Sequence, residues 1–346
     1  MRQASTFASL NRWARSIAKW VAARTGGVRL YHRLRHRDVL TVIMLHRVLP
    51  QAMYAQREPD PGYTISTELL ERLVPFLRAN YNVVALPDVL EARRGTRRLP
   101  AHPLLITFDD GWEDNVRYAA PILAAAGMPW TLFVAAGAIS TGGPWWQETL
   151  LKTLRTGRAT YGDLWEMATG GTGAGSEAGD DRELALLNAF GALDSQRRDR
   201  LLAGVCERGS DTDMADWNGL QGLGANVTIG VHGFSHLPLT MLNNPKQDIL
   251  EARELLRTHL GAAATVSMSF PHGRYDGEVL AAARTLAFEL LFTSDAVLNY
   301  CPDGLLPYDT IGRISVEASR VCNPRGEFEL GQAERWLILR ERKSTA

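Results

Sequence analysis

Residues 104–111 read Leu-Leu-Ile-Thr-Phe-Asp-Asp-Gly, an apolar run that ends in two adjacent carboxylates and a glycine. The run predicts a buried strand over 104–108, with Asp109 and Asp110 at its carboxyl end. Two carboxylates side by side repel each other unless a cation or hydrogen-bond donors lie close to them. A plain turn is the alternative, because Asp and Gly are common turn residues.

On both sides of this stretch, short aliphatic runs alternate with helical stretches, which is typical of a parallel sheet with crossover helices. Strands are predicted at 39–45, 81–85, 104–108, 131–134, 226–231, 265–270, 290–293 and 310–314, and helices at 67–80, 87–94, 115–126, 244–260 and 277–285. The alternation stops in the middle of the chain. There the sequence predicts helices at 147–154, 161–167 and 182–205, no strand, and a mobile Gly/Ser/Thr-rich loop at 169–181.

A second polar motif, His232-Gly-Phe-Ser-His236, follows the predicted strand 226–231. Imidazoles four residues apart can face one ion, although two hydrogen-bonded structural histidines are the alternative. Loops at the carboxyl ends of parallel strands converge, so this pair is expected to meet the two aspartates. One carboxylate and two imidazoles suit a zinc-like ion, and the second carboxylate would remain as a base for a water molecule.

The sequences TFDDG (107–111) and HGFSH (232–236) resemble the first two motifs of the NodB-homology polysaccharide deacetylases, a group similar to carbohydrate esterase family 4. The resemblance implies an α/β fold, a distorted (β/α) barrel over 38–320 with a helical insertion at 144–225. It also implies a metal-dependent hydrolase that removes N-acetyl groups from an amino-sugar polysaccharide, an oligosaccharide or a lipid-linked glycan precursor. Asp110, His232 and His236 would bind the divalent metal, with Zn²⁺ as the first candidate, and Asp109 would be the base.

The third family motif, usually Arg-x-Pro-Tyr-Gly, resembles Ser-Phe-Pro-His-Gly at 269–273. By this resemblance the substrate is expected to contact Pro271, His272 and Gly273. The usual arginine is absent, so Arg313 is predicted to hold Asp109, with Arg274 as the alternative.

The family's usual acid, a histidine near the end of the domain, is also absent, because the last histidine of this chain is His272. His46 starts a His-Arg-Val sequence that resembles an exopolysaccharide-modifying branch, and it is the predicted acid, with His272 as the alternative. The pair Trp145 and Trp146 is expected to stack on sugar rings, or else to serve as a packing anchor.

The N-terminal segment 1–37 is basic on a chain of zero net charge, which gives no indication of a nucleic-acid partner. Apolar residues at helical spacing predict an amphipathic helix that contacts a membrane through residues 5–24, or that packs on its own domain or a partner subunit. The apolar runs are too interrupted for a signal peptide or a membrane span, and the three cysteines have no CxxC spacing. These features predict a cytoplasmic protein, peripheral to the inner membrane. Residues 321–346 are assigned to a C-terminal tail.

Three other functions remain open at this point. A deformylase acting on a lipid-linked sugar would share the site. A non-haem iron oxygenase also uses two histidines and one carboxylate, but has no use for Asp109. A degenerate carbohydrate-binding barrel would explain the two missing family residues.

Overall fold

A computed structural model describes residues 26–139, 145–171, 180–205 and 213–343. The mixed α/β fold is a nearly closed, mostly parallel barrel surrounded by helices, as the sequence predicted. The strands are β1 Val39–Leu45, β2 Arg47–Leu49, β3 Thr64–Ser66, β4 Asn82–Val83, β5 Pro103–Phe108, β6 Trp130–Val134, β7 Val227–Val231, β8 Ser267–Ser269, β9 Leu290–Phe292, β10 Asn299–Tyr300, β11 Thr310–Ile311 and β12 Ile314–Ser315.

The helices of the described residues include short ones that join strands and long ones that cover the barrel. They are α1 Gly27–Arg35, α2 Tyr54–Arg57, α3 Thr67–Asn80, α4 Leu86–Arg94, α5 Ala120–Ala125, α6 Trp146–Arg155, α7 Tyr161–Thr169, α8 Asp180–Gly191, α9 Ser195–Ala203, α10 Trp217–Gln221, α11 Pro245–Leu260, α12 Gly277–Thr285, α13 Ala318–Val321 and α14 Leu330–Ile338. A π-helical turn, Asn115–Ala119, precedes α5. None of the described helices combines the length and the apolar character that a membrane span requires.

The barrel closes through a strand that is broken in the middle. The strand order is β1-β5-β6-β7-β8-β9-β11, and β12 then pairs with β1 in parallel. Gly312 and Arg313 lie at the break between β11 and β12, where the side chain of Asn299 bonds both the N–H and the C=O of Gly312. The sequence predicted one continuous strand over 310–314, and the structure corrects this: the break turns Arg313 into the barrel.

Successive residues of each strand alternate between two hydrophobic layers, as a sheet covered on both faces requires. An inner layer fills the barrel with side chains that include Leu40, Val42, Leu105, Phe133, Phe292 and Ile311. The intervening residues, such as Ile43, Ile106 and Phe108, belong to the outer layer under the helices. Thr107 and Asp109 are two and four residues after Leu105 and therefore point to the same side of the sheet. Asp109 thus lies at the carboxyl end of this inner layer.

The central helices α6 to α9 have a small core of their own, built on Leu150, Leu164, Leu187 and Phe190. The described part of this region contains no strand, as expected. The predicted single helix 182–205 is wrong, because the chain breaks between α8 and α9, where Asp194 caps α9 through the N–H of Arg197. Residues 172–179 of the predicted mobile loop lie outside the described residues.

The structure describes only part of what the sequence predicted for the two ends of the chain. The predicted amphipathic helix around residues 7–21 lies outside the described residues. Helix α1 was not predicted; it packs through Val28 and His32. The segment assigned to a tail includes α14, whose Ala333, Leu337 and Ile338 are part of the main core.

Candidate active site

Three acceptor atoms from two distant segments meet at the carboxyl ends of β5 and β7. The Oδ1 of Asp110 lies 3.3 Å from Nε2 of His232 and 3.1 Å from Nε2 of His236. All three side chains are buried, with exposures of 6%, 2% and 7%. Within the described residues, this is the one cluster of His, Cys, Asp or Glu that could hold a metal ion.

Hydrogen bonds to the opposite ring nitrogens fix the tautomers of both histidines. Nδ1 of His232 donates to the carbonyl oxygen of Ser269 at 3.1 Å and also contacts its Oγ at 2.5 Å. Nδ1 of His236 donates to Oε1 of Gln147 at 2.8 Å, and the amide nitrogen of Gln147 donates to the carbonyl of Ser235 at 3.0 Å. In each ring Nε2 therefore faces Asp110, and it carries the lone pair when the ring is neutral.

Two nitrogen lone pairs and a carboxylate oxygen at this distance repel one another unless positive charge lies between them. Burial alone would lower the pKa of His232, but the carboxylates of Asp109 and Asp110 raise it above its ordinary value. Burial would likewise raise the pKa of Asp110, yet the two histidines hold it well below the ordinary value. Ligands of a tetrahedral zinc ion are about 3.3 Å apart, so the donor set fits a divalent metal in type, and its two distances to Asp110 fit in length.

Asp109 lies beside this cluster but is held by a different partner. Arg313 donates to both carboxylate oxygens, at 2.6 and 2.7 Å, and a further N–H donates to the carbonyl of Thr293. Burial acts to raise the pKa of Asp109, but Arg313, together with His232 and His46, outweighs it and keeps this pKa below the ordinary value. Oδ2 of Asp109 is 4.0 Å from Nε2 of His232, so an ionised carboxylate lies next to the donor set without joining it.

Ser269, which stands where the family has arginine, links these two parts of the site. Its Oγ contacts Nδ1 of His232 and donates to Oδ1 of Asp109 at 3.3 Å. The hydroxyl can accept from the imidazole and donate to the carboxylate at the same time. The alternative Arg274 is exposed, and Arg313 already binds both oxygens of Asp109.

The backbone turns sharply at three residues of the site. Asp110, His236 and His272 have φ values of 78°, 53° and 54°, in the left-handed region. Such conformations cost about 1–3 kcal/mol each outside glycine and concentrate at functional sites. The carbonyl groups of Asp110 and Gly111 accept from the N–H groups of Ala135 and Ala215, which fixes this turn.

The loop that carries the histidine pair is fixed from two sides. The carboxylate of Asp248, on α11, accepts the N–H groups of Phe234 and Ser235 at 2.8 and 2.9 Å. On the other side, Gly137 donates to the carbonyl of Phe234, and a Cβ at position 137 would lie only 2.5 Å from that oxygen. The close approach therefore requires glycine at 137.

A buried ion pair between Arg47 and Asp114 supports Asp110 through the ring of Trp112. Nε1 of Trp112 donates to Oδ2 of Asp110 at 2.7 Å, and the guanidinium of Arg47 stacks 4.0 Å from the ring centre of Trp112. Arg47 in turn donates to Asp114 at 2.9 Å and lies 3.8 Å from Glu148 on α6. The central helical region is thus tied to the site through both Gln147 and Glu148.

His46 and His272, the two candidate acids, have different surroundings. Burial lowers the pKa of His46, whereas the nearby carboxylates of Asp110 and Asp109 act in the opposite direction. Burial, with His236, lowers the pKa of His272 to about 3. The Nε2–H of His272 donates to the carbonyl of His236 at 3.0 Å, so this N–H is already bonded to the backbone.

The two tryptophans and the third motif have different surroundings. Trp145 is 6% exposed and its ring contacts those of Trp112 and His236, an arrangement suited to packing. Trp146 carries the guanidinium of Arg198 over its ring at 4.5 Å. Pro271 is buried, and the N–H of Gly273 donates to the carbonyl of Phe270.

Several contacts of this site were not anticipated from the sequence: those of Gln147, Trp112, Arg47 and Asp114. Gln147 is 89 positions from His236, and no local pattern connects them. The signal available for Arg47 was its place directly after His46, at the carboxyl end of the first strand.

The model of the polysaccharide deacetylase family matches residues 96–163 and 215–291, which include both aspartates and the histidine pair. The chain therefore carries a polysaccharide deacetylase domain. This domain places it among the carbohydrate N-deacetylases, a class of hydrolases. No curated protein matches the chain.

Solved structures of deacetylases share the fold at low sequence identity. The structure of IcaB from Ammonifex degensii is 19% identical, with a TM-score of 0.54 over 87% of this chain and 97% of that one. A de-N-acetylase from Aggregatibacter actinomycetemcomitans is 16% identical, with a TM-score of 0.55 over 87% and 100% of the two chains. The Streptococcus pyogenes deacetylase PplD, solved with acetate, is 15% identical, with a TM-score of 0.50 over 86% and 98%.

Replacing Arg313 tests whether it neutralises Asp109. Arg313→Met should lower the free energy of unfolding by about 3–5 kcal/mol, because a buried carboxylate loses its partner. Adding Asp109→Asn should recover part of this loss, since no charge is then left unpaired. Urea unfolding measures both values. Arg257→Met, in an exposed pair on α11, should cost less than about 0.5 kcal/mol, and an equally small cost at Arg313 would contradict the assignment.

Replacing Gln147 tests whether α6 orients His236. Gln147→Leu should weaken zinc binding about 10–100-fold, because the Nδ1–H of His236 loses its acceptor. Competition with a zinc-binding dye measures the affinity without any substrate. Gln247→Leu, at an exposed position of α11, is the matched control and should leave the affinity unchanged. Equal affinities in all three proteins would show that α6 has no such role.

Proposed function

We propose that the protein is a metal-dependent hydrolase that removes N-acetyl groups from an amino-sugar polysaccharide or oligosaccharide. One observation carries this proposal: the three convergent acceptors of Asp110, His232 and His236 lie beside a separate carboxylate, Asp109, that Arg313 keeps ionised. A site built only to bind sugar would have no need for both features. An iron oxygenase would leave Asp109 without a role.

The three ligands would hold a divalent ion, with Zn²⁺ as the first candidate because two nitrogens and one oxygen suit it. When bound, such an ion polarises the acetyl carbonyl and makes a neighbouring water molecule more acidic. The remaining chemistry belongs to side chains of the chain itself.

Asp109 is the proposed general base. Its ionised carboxylate takes a proton from the attacking water as the new carbon–oxygen bond forms. Arg313 holds both oxygens in place, so the carboxylate can move little during the transfer. The backbone N–H of His272, just after Pro271, is the proposed donor to the oxygen of the acetyl group.

His46 is the proposed general acid, which donates a proton to the nitrogen of the sugar as the carbon–nitrogen bond breaks. The products are acetate and a free amino sugar. His272 is the weaker choice, because its Nε2–H is bound to a carbonyl and its pKa is about 3. For this role His46 must carry a second proton, which the negative charge developing on the acetyl oxygen would favour.

The substrate is proposed to be an exopolysaccharide of N-acetylated amino sugars. Two of the structurally similar proteins are described as IcaB and as a de-N-acetylase. The His-Arg-Val sequence at 46–48 also resembles the exopolysaccharide-modifying branch of the family. We further propose a cytoplasmic location at the membrane.

Acetate release tests the function directly. The metal-loaded protein should release acetate from N-acetylated amino-sugar oligomers, lose this activity when a chelator removes the metal and regain it with zinc. His232→Ala should bind zinc far more weakly, whereas Asp109→Asn should bind zinc and release about 10²–10⁴-fold less acetate.

Other products or the lack of any product distinguish the rival functions. Formate from formylated sugars would identify a deformylase. Binding of oligomers without any acetate would identify a degenerate carbohydrate-binding barrel, and dioxygen consumption with iron would identify an oxygenase.

The two candidate acids can be separated by matched glutamine variants. His46→Gln should lower kcat about 10²–10⁴-fold with little change in zinc affinity, because a general acid acts only in the chemical step. A substrate with a better leaving group should be less affected. His272→Gln keeps a donor for the carbonyl of His236 and should retain most activity. The reverse order of effects would assign the acid to His272.

A further inference from the structure

Helix α1 presents apolar side chains to solvent on the side opposite to its buried residues. Val28 and His32 face the protein, whereas Leu30, Tyr31 and Leu34 are 58%, 43% and 70% exposed. Leu330, at the start of α14, is a further exposed apolar residue at 42%. A helix whose outer face contacts only water would have polar residues on that face.

Arginines surround these exposed residues. A groove of about 450 Å³ beside α1 has Phe76, Phe328 and Leu330 among its apolar residues, and Arg29, Arg33 and Arg72 also line it. Arg29 is neutralised by Glu334, but Arg33, Arg35 and Arg37 are exposed. The surface formed by α1 and this groove, called the basic apolar surface here, therefore combines leucines with positive charge.

The sequence extends this character over the whole N-terminal segment. Residues 1–37 contain nine cationic residues and no acidic one: Arg2, Arg12, Arg15, Lys19, Arg24, Arg29, Arg33, Arg35 and Arg37. Because the complete chain has zero net charge, this concentration is local. Its complement is a surface that is both anionic and apolar beneath its charges, which describes an anionic phospholipid bilayer.

We propose that the basic apolar surface docks the protein on an anionic phospholipid bilayer. Leu30, Tyr31 and Leu34 enter the interface, and the arginines bind lipid phosphates. Helix α1 directly precedes β1, so it lies at the amino ends of the strands. The candidate active site lies at their carboxyl ends, about 20 Å away along a strand of this length. A docked molecule thus keeps its site open to a soluble glycan.

Vesicle binding by the full-length chain tests the proposal. The protein should co-sediment with phosphatidylcholine vesicles that contain phosphatidylglycerol, much less with pure phosphatidylcholine, and less at high salt. Leu30→Ser with Leu34→Ser, and separately Arg33→Gln with Arg35→Gln, should each weaken binding about tenfold or more. Two control proteins carry substitutions at exposed positions elsewhere, Met241→Ser in one and Arg117→Gln with Arg257→Gln in the other. Both should bind as the unchanged protein does.

A fluorescent probe distinguishes the bilayer from a protein partner on this surface. An environment-sensitive dye attached to Leu34→Cys should shift its emission to the blue only when anionic vesicles are added. The unchanged protein, treated with the same dye, serves as the blank. A dye that is already blue-shifted without vesicles and does not respond to them would show that residues 1–25 or a second copy cover the surface. That result, or vesicle binding unaffected by both pairs of substitutions, would overturn the proposal.

Discussion

Electrostatic repulsion among three buried acceptors is the constraint on which the rest of the site depends. The Nε2 atoms of His232 and His236 lie 3.3 and 3.1 Å from Oδ1 of Asp110, and this arrangement needs positive charge between the three atoms. Each ring is turned this way by a bond at Nδ1, to Ser269 or to Gln147. Asp109 stays outside the set because Arg313 binds both of its oxygens. Two adjacent residues of similar chemistry thus acquire different roles from their partners.

The fold supplies these partners from separate parts of the chain. Arg313 comes from the broken strand that closes the barrel, Ser269 from the end of β8 and Gln147 from the central helices. The central helical region is therefore part of the site, since α6 carries both the acceptor of His236 and Glu148 near Arg47.

Much of the barrel could be predicted because its elements have strong local patterns. The strand at 39–45 and the helices at 67–80 and 277–285 have the predicted boundaries. The break at Gly312 was not predictable, because it depends on Asn299 and on the need to bring Arg313 to Asp109. The break after α8 had a local signal in the Asp194 cap, which the apolar periodicity on both sides concealed.

The predicted ligands Asp110, His232 and His236 lie together in the structure, and both they and Asp109 fall in motifs with short, recognisable spacing. Gln147 and Trp112 had no such signal, since a glutamine or a tryptophan in a helical or turn sequence suits many surroundings. The role of Arg313 was inferred from a missing arginine in the third motif, and its bonds to Asp109 agree with that inference. Roles that depend on substrate, such as those of His46 and of the third motif, stay predictions.

Anomalous X-ray diffraction at the zinc absorption edge, from crystals grown with zinc, would locate an ion bound by these three residues. We expect one strong peak about 2.0–2.2 Å from Oδ1 of Asp110 and from Nε2 of both His232 and His236, with Asp109 still bound to Arg313. A peak elsewhere, or Asp109 as the ligand with Asp110 turned away, would contradict this expectation.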